Sequence, residues 1–178
     1  MKTFSNRRGF TIIEVVATLV IIGIIVVVTV SQFSSNQNNL VAVADALTSH
    51  LRLAQARAMN TSQDNITTFN VWGVRFISTT QYHLFYCANS SACDPTIAAN
   101  QVALPGETAI INLASKGVQV TNGALILAFD RFGAPYNAVA DVSDNSKART
   151  TQLTLTLQDN NGKTRTINIK PQTGMITS

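Results

Sequence analysis

The chain of 178 residues is short of charge and of the side chains from which catalytic sites are built. Charged residues make up 12% of it, where soluble domains typically carry about 25%. With a mean hydropathy of +0.16, this excludes a disordered acidic or basic tail and counts against a purely soluble enzyme. There are two histidines, His50 and His83, and neither sits in a nucleophile motif such as G-x-S-x-G. Both read as surface or half-buried residues. No glycine-rich phosphate loop occurs. The acids are scattered. Their one close pair, Asp141 and Asp144, has oxygens that suit calcium but reads better as a solvated loop. The expectation is no catalytic set, no cofactor and no metal.

One feature is abundant. Phe10 to Val30 is an apolar run with a single charge, Glu14, and its length is about the 20 residues a membrane-spanning helix needs. Lys2, Arg7 and Arg8 precede it with no acid among them. Beyond residue 9 the chain holds ten basic against nine acidic side chains, so the net +4 mostly reports this leader. Lys2, Arg7 and Arg8 should stay cytoplasmic, with the remainder outside. A secretory signal peptide fits poorly. The run is too long for an h-region, and its small residue, Gly9, comes before it rather than after. Glu14 is a functional candidate by default, because a carboxylate inside a membrane segment costs a few kcal/mol.

Arg7-Arg8-Gly9-Phe10-Thr11-Ile12-Ile13-Glu14 resembles the class III leader of type IV pilins and type II secretion pseudopilins. The resemblance implies that a prepilin peptidase cuts after Gly9 and methylates the new N-terminus, Phe10. It also implies that Glu14, then the fifth residue, serves assembly. A buried ammonium at Phe10 needs a partner, and Glu14 of a neighbouring subunit can supply it. Partners implied are the peptidase, other major and minor pilins or pseudopilins, and an inner-membrane assembly platform with its ATPase. Many pilins have a kinking Pro near the end of the apolar run, and this chain has none there.

Leu40, Ala44, Leu47, Leu51, Ala54 and Ala58 recur at three and four residues, which places them on one helix face. No Pro interrupts residues 10–60, so one helix is expected from about Phe10 to Asn60, with 31–60 its amphipathic half. Ser31 to Asn39 is polar and open to fraying. After Asn60 the pattern turns to period two. Strands are expected near Phe69–Phe76, Gln81–Cys87, Thr108–Leu113, Gly117–Val120, Ala124–Phe129, Thr151–Gln158 and Lys163–Lys170. Asp159-Asn160-Asn161-Gly162 reads as a tight hairpin in which Asn-Gly supplies positive φ angles. The fold class is α+β. A long N-terminal helix, transmembrane in its first half, packs its amphipathic second half on an antiparallel sheet or sandwich. The organisation is leader 1–9, membrane and assembly helix 10–30, amphipathic helix 31–60 and periplasmic head 61–178.

Leu51–Asn60, Trp72-Gly73-Val74-Arg75-Phe76 and Phe129-Asp130-Arg131-Phe132-Gly133, in that order, resemble the pseudopilin H branch. That likeness implies a minor subunit at a filament tip that helps start assembly. Cys87 and Cys93 should form a disulfide in an oxidising compartment. A metal site made with His83 lacks a fourth ligand. DNA binding is the alternative class, since Lys147, Arg149, Lys163, Arg165 and Lys170 gather late in the chain. Lys163 and Arg165 are its candidate contacts. Lys and Arg also guard strand edges, and the C-terminus lacks the Gly-Arg-x-Arg type motif of DNA-binding relatives.

Overall fold

The computed structural model describes residues 11–32, 35–60, 70–89, 92–123 and 125–178, with the side chains of 27–38, 143 and 145 outside the description. The leader 1–9 and Phe10 lie outside the described residues. Two α-helices appear among them: α1, Ile12–Gln32, and α2, Ser35–Asn60. The described part of the helix expected over 10–60 lies in α1 and α2, and Phe33 and Ser34, between them, lie outside the description. The chain divides into two compact units after Ser35.

Thr11 opens α1. Its Oγ1 accepts the Glu14 N–H at 3.4 Å and its carbonyl accepts the same group at 3.1 Å, so the first turn is capped locally. Among the described residues no helix is long and apolar enough to cross a membrane, so the transmembrane half expected of residues 10–30 is not met there. The described side chains of α1 end at Val26, whereas the apolar letters of the sequence run on to Val30.

The second unit is built around α2. All six residues of the expected stripe are buried, and Val43 and Thr48 join them. Two antiparallel sheets cover that stripe. The first orders β3 (Gln101–Val102), β2 (Gln81–Cys87), β1 (Val71–Ser78), β6 (Ile126–Phe129) and β7 (Pro135–Tyr136), with β4 (Ile111–Asn112) also on β2. The second orders β10 (Ile176–Thr177), β9 (Thr164–Ile169), β8 (Leu153–Asp159) and β5 (Val118–Val120). The alternating Leu153, Leu155 and Leu157 and their partners Ile167 and Ile169 face one core with Leu47, Leu51 and Ala54 of α2. Each such Leu or Ile contributes about 1.5–3 kcal/mol by leaving water.

Two local features differ from expectation. In the β8–β9 hairpin only Gly162 has positive φ, +81°, and Asn161 does not. The Asp159 carboxylate accepts the N–H groups of Asn161 at 2.9 Å and Lys163 at 2.8 Å, while Gly162 N–H returns to the Asp159 carbonyl. The carboxylate thus holds a three-residue loop with one left-handed position in place of a two-residue turn. The strand expected over Thr108–Leu113 shrinks to β4. Thr108 Oγ1 bonds the Ile110 carbonyl and Glu107 N–H bonds the Leu104 carbonyl, so local contacts take the ladder's donors and acceptors.

Candidate functional site

The two places with site chemistry lie in different units and are described separately. The first is the start of α1. Gly9 and Phe10, the expected cleavage and methylation residues, lie outside the described residues. Glu14 stands in the first turn and is exposed, as is every described residue from Thr11 to Val26. Among the described residues its carboxylate has no hydrogen-bond or ion-pair partner. The segment therefore presents an apolar surface on all sides and one uncompensated carboxylate near its N-terminal end. Within the chain nothing described absorbs either.

The second is a pocket between α2, β2 and the segment before and after β4. His50 of α2 places Nδ1 2.8 Å from the Tyr82 hydroxyl and Nε2 3.4 Å from Glu107 Oε2. Burial raises the Tyr82 phenol well above its ordinary value, with Glu107 adding to the effect, so the hydroxyl stays protonated. Burial lowers His50 below its ordinary value despite the pull of Glu107, leaving the imidazole neutral at pH 7. With Tyr82 donating to Nδ1, the Nε2–H faces Glu107. The sequence marked His50 but offered no signal for its partners, which come from 32 residues onward in a strand and from a loop.

The structure brings together the three motifs compared with the pseudopilin H branch. Gln55 Nε2 of α2 donates to Gly133 O at 2.9 Å and Thr173 O at 3.2 Å, and Arg52 donates to Ile176 O at 3.0 Å. Trp72 pairs with Phe129 and Gly73 with Ala128 across β1 and β6. A Cβ at Gly73 would run into the Leu127 carbonyl and the Phe85 ring, so the Gly of this motif serves close approach. Asp130 is buried. Its carboxylate accepts Phe132 N at 2.9 Å, Ala134 N at 2.7 Å and the Tyr136 hydroxyl at 3.1 Å. These residues hold a turn against the end of α2, which is a packing role.

Cys87 and Cys93 are joined in a disulfide, with Cα atoms 5.4 Å apart. Buried His83 gives Nε2–H to the Pro95 carbonyl at 2.9 Å, tying the strand to the chain just after the bridge. Its other nitrogen is buried with no partner among the described residues, and burial lowers the imidazole pKa. Among the described residues no group of His, Cys, Asp or Glu is placed to hold a metal. Asp141 instead pairs with Lys147 at 3.2 Å, and Asp144 caps Ser146.

The late basic residues do not form one set. Arg165 shares the inward face of β9 with Ile167 and Ile169 and reaches Asp45 of α2 at 3.6 Å. Lys163 precedes the strand, in the hairpin loop. Arg149 donates to Asn137, and burial lowers its pKa. Only part of the expected patch is left for phosphate contact.

No curated protein and no solved structure matches the chain. Residues 4–30 match the family described as the prokaryotic N-terminal methylation motif. The match supports a likeness to the type IV pilin and pseudopilin superfamily, and with it a structural-subunit role. It implies processing by prepilin peptidase, membrane anchoring, and incorporation in a pilus with other pilins.

Proposed function

We propose that the chain is a minor pseudopilin or minor type IV pilin of the pseudopilin H branch, cut between Gly9 and Phe10 and methylated on Phe10. Residues 10–30 first lie in the inner membrane with the head in the periplasm. They then pack among the apolar helices of a filament, where the subunit helps to begin assembly for type II secretion or pilus formation. The observation that carries this reading is Glu14. It is an exposed carboxylate, partnerless among the described residues, set in an all-round apolar helix that follows Arg7-Arg8-Gly9-Phe10.

The chemistry follows from that placement. Cleavage creates an ammonium group at Phe10. In the apolar layer of a filament, that charge and the Glu14 carboxylate of a neighbour neutralise each other. The pair fixes the axial register of helices that have little else to distinguish one sliding position from the next. Glu14→Ala leaves the ammonium unpaired, at a cost of about 3–5 kcal/mol where the site is well buried. The same change removes a charge from the membrane segment, so insertion and leader cleavage should not suffer. The test is recovery of the other minor subunits by pull-down of wild type and Glu14→Ala from membranes. Reduced recovery with normal cleavage supports the reading; equal recovery with equal filament number per cell removes Glu14 from assembly.

A further inference from the structure

The pocket beside His50 has a volume of about 140 Å³, below the roughly 300–1,000 Å³ of small-molecule sites and suited to one inserted side chain. Its walls combine apolar Val43, Ala46 and Ile111 with His50, Glu107 and Lys116. Glu107 is 38% exposed and, among the described residues, its one ion-pair contact is His50 at 3.4 Å. That imidazole, its pKa lowered by burial, faces the carboxylate from 3.4 Å and is neutral at pH 7. The carboxylate thus lies beside the Tyr82–His50 pair and the apolar walls, and among the described residues it makes no ion pair with a Lys or Arg. Asn112 does not neutralise it, and Lys116, which also lines the pocket, makes no ion pair among the described residues.

From this we infer that the pocket is a docking site for a lysine side chain of another polypeptide. The aliphatic stem lies on Val43, Ala46 and Ile111, and the ammonium pairs with Glu107. Long basic side chains bury their stems along apolar surface while the charged head seeks a partner, which is the pattern these walls offer. His50, tied to Tyr82 at 2.8 Å, flanks the carboxylate as a wall of the pocket. Lys116 acts in the opposite sense, as a like charge at the same pocket that moderates affinity. The site belongs to the head and does not depend on the leader or on filament formation.

The test uses the full chain in detergent micelles and Nα-acetyl-lysine methylamide as probe, followed by backbone amide shifts and the His50 side-chain resonances. The lysine probe should shift residues around His50, Glu107 and Ile111 in a saturable way. Its Nε-acetylated form, which lacks the charge, should bind more weakly. Glu107→Gln should weaken the lysine probe about fivefold, the scale of an exposed ion pair. Lys116→Ala is an exposed change that leaves the fold untouched, and it should tighten binding. Equal affinity of the charged and acetylated probes overturns the proposal. So does tighter binding of Nα-acetyl-glutamate methylamide, which would assign the pocket to Lys116 and an anion. Weaker lysine binding in Lys116→Ala overturns it independently of how Glu107→Gln folds.

Discussion

In α1 the described side chains stay exposed whatever their polarity, Ile12 at 84% and Leu19 at 63%. In α2, Leu47, Leu51 and Ala54 are at 0%. The helices are of similar length, 21 and 26 residues, and both are rich in aliphatic side chains. What separates them is the arrangement. In α2 the aliphatic residues fall on one stripe that the two sheets cover, and polar residues take the other faces. In α1 they go all round, and no single sheet can cover a whole cylinder. A helix of that kind is completed by lipid or by other helices. The comparison teaches that one chain carries two kinds of buried surface, one satisfied by its own fold and one reserved for surroundings outside it.

The comparison breaks most sharply under truncation. Leu51→Ala should cost about 2–5 kcal/mol of head stability, because its side chain is wholly enclosed by α2 and both sheets. Leu19→Ala should leave head unfolding within about 0.5 kcal/mol of wild type. Urea unfolding of the full chain in mild detergent, followed by the fluorescence of Trp72, measures both. Similar losses for the two would mean that α1 is also part of the head's core.

The disulfide should matter next. Replacing both Cys87 and Cys93 by Ser frees a short loop and should cost about 2 kcal/mol on the chain-entropy model. The same urea experiment reads it. Alkylation of the native chain without reductant should label neither cysteine.

The smallest effect is a pH dependence confined to the head. His50 and His83 are both held below their ordinary value, with burial the largest cause. The unfolded chain therefore binds protons on these residues that the folded one does not. Stability should be flat above about pH 6.5, the unfolded histidine value, and fall as pH drops below it. Urea midpoints between neutral and mildly acid pH check this, and His83→Gln should flatten part of the slope. A midpoint that rises on acidification would contradict both environments.

Much of this contrast can be read from the letters. The period of Leu40 to Ala58 finds the buried stripe because helical spacing and burial share one geometry. The alternation of Leu153 to Leu157 finds its strand for the same reason. The segment Arg7 to Glu14 is readable because its chemistry is local. Other features depend on contacts that sequence does not order. The turn at Asn161 follows the side chain of Asp159, which overrides what Asn-Gly suggests by itself. The two-residue strands β3, β7 and β10 form only because a neighbouring edge is there to pair with. Glu107 and Tyr82 meet His50 through the packing of three segments, so no local pattern announces the pocket. Alternation assigns Arg165 to an open basic face with Lys163, yet it turns toward Asp45 because β9 packs that face on α2.

The account rests on what happens at Gly9–Phe10. Intact-mass analysis of the full chain, expressed in a host with active prepilin peptidase and extracted from membranes, tests it most directly. The account predicts a single species lacking residues 1–9 and carrying one added methyl group on Phe10. A mass equal to the full chain in that host would contradict it.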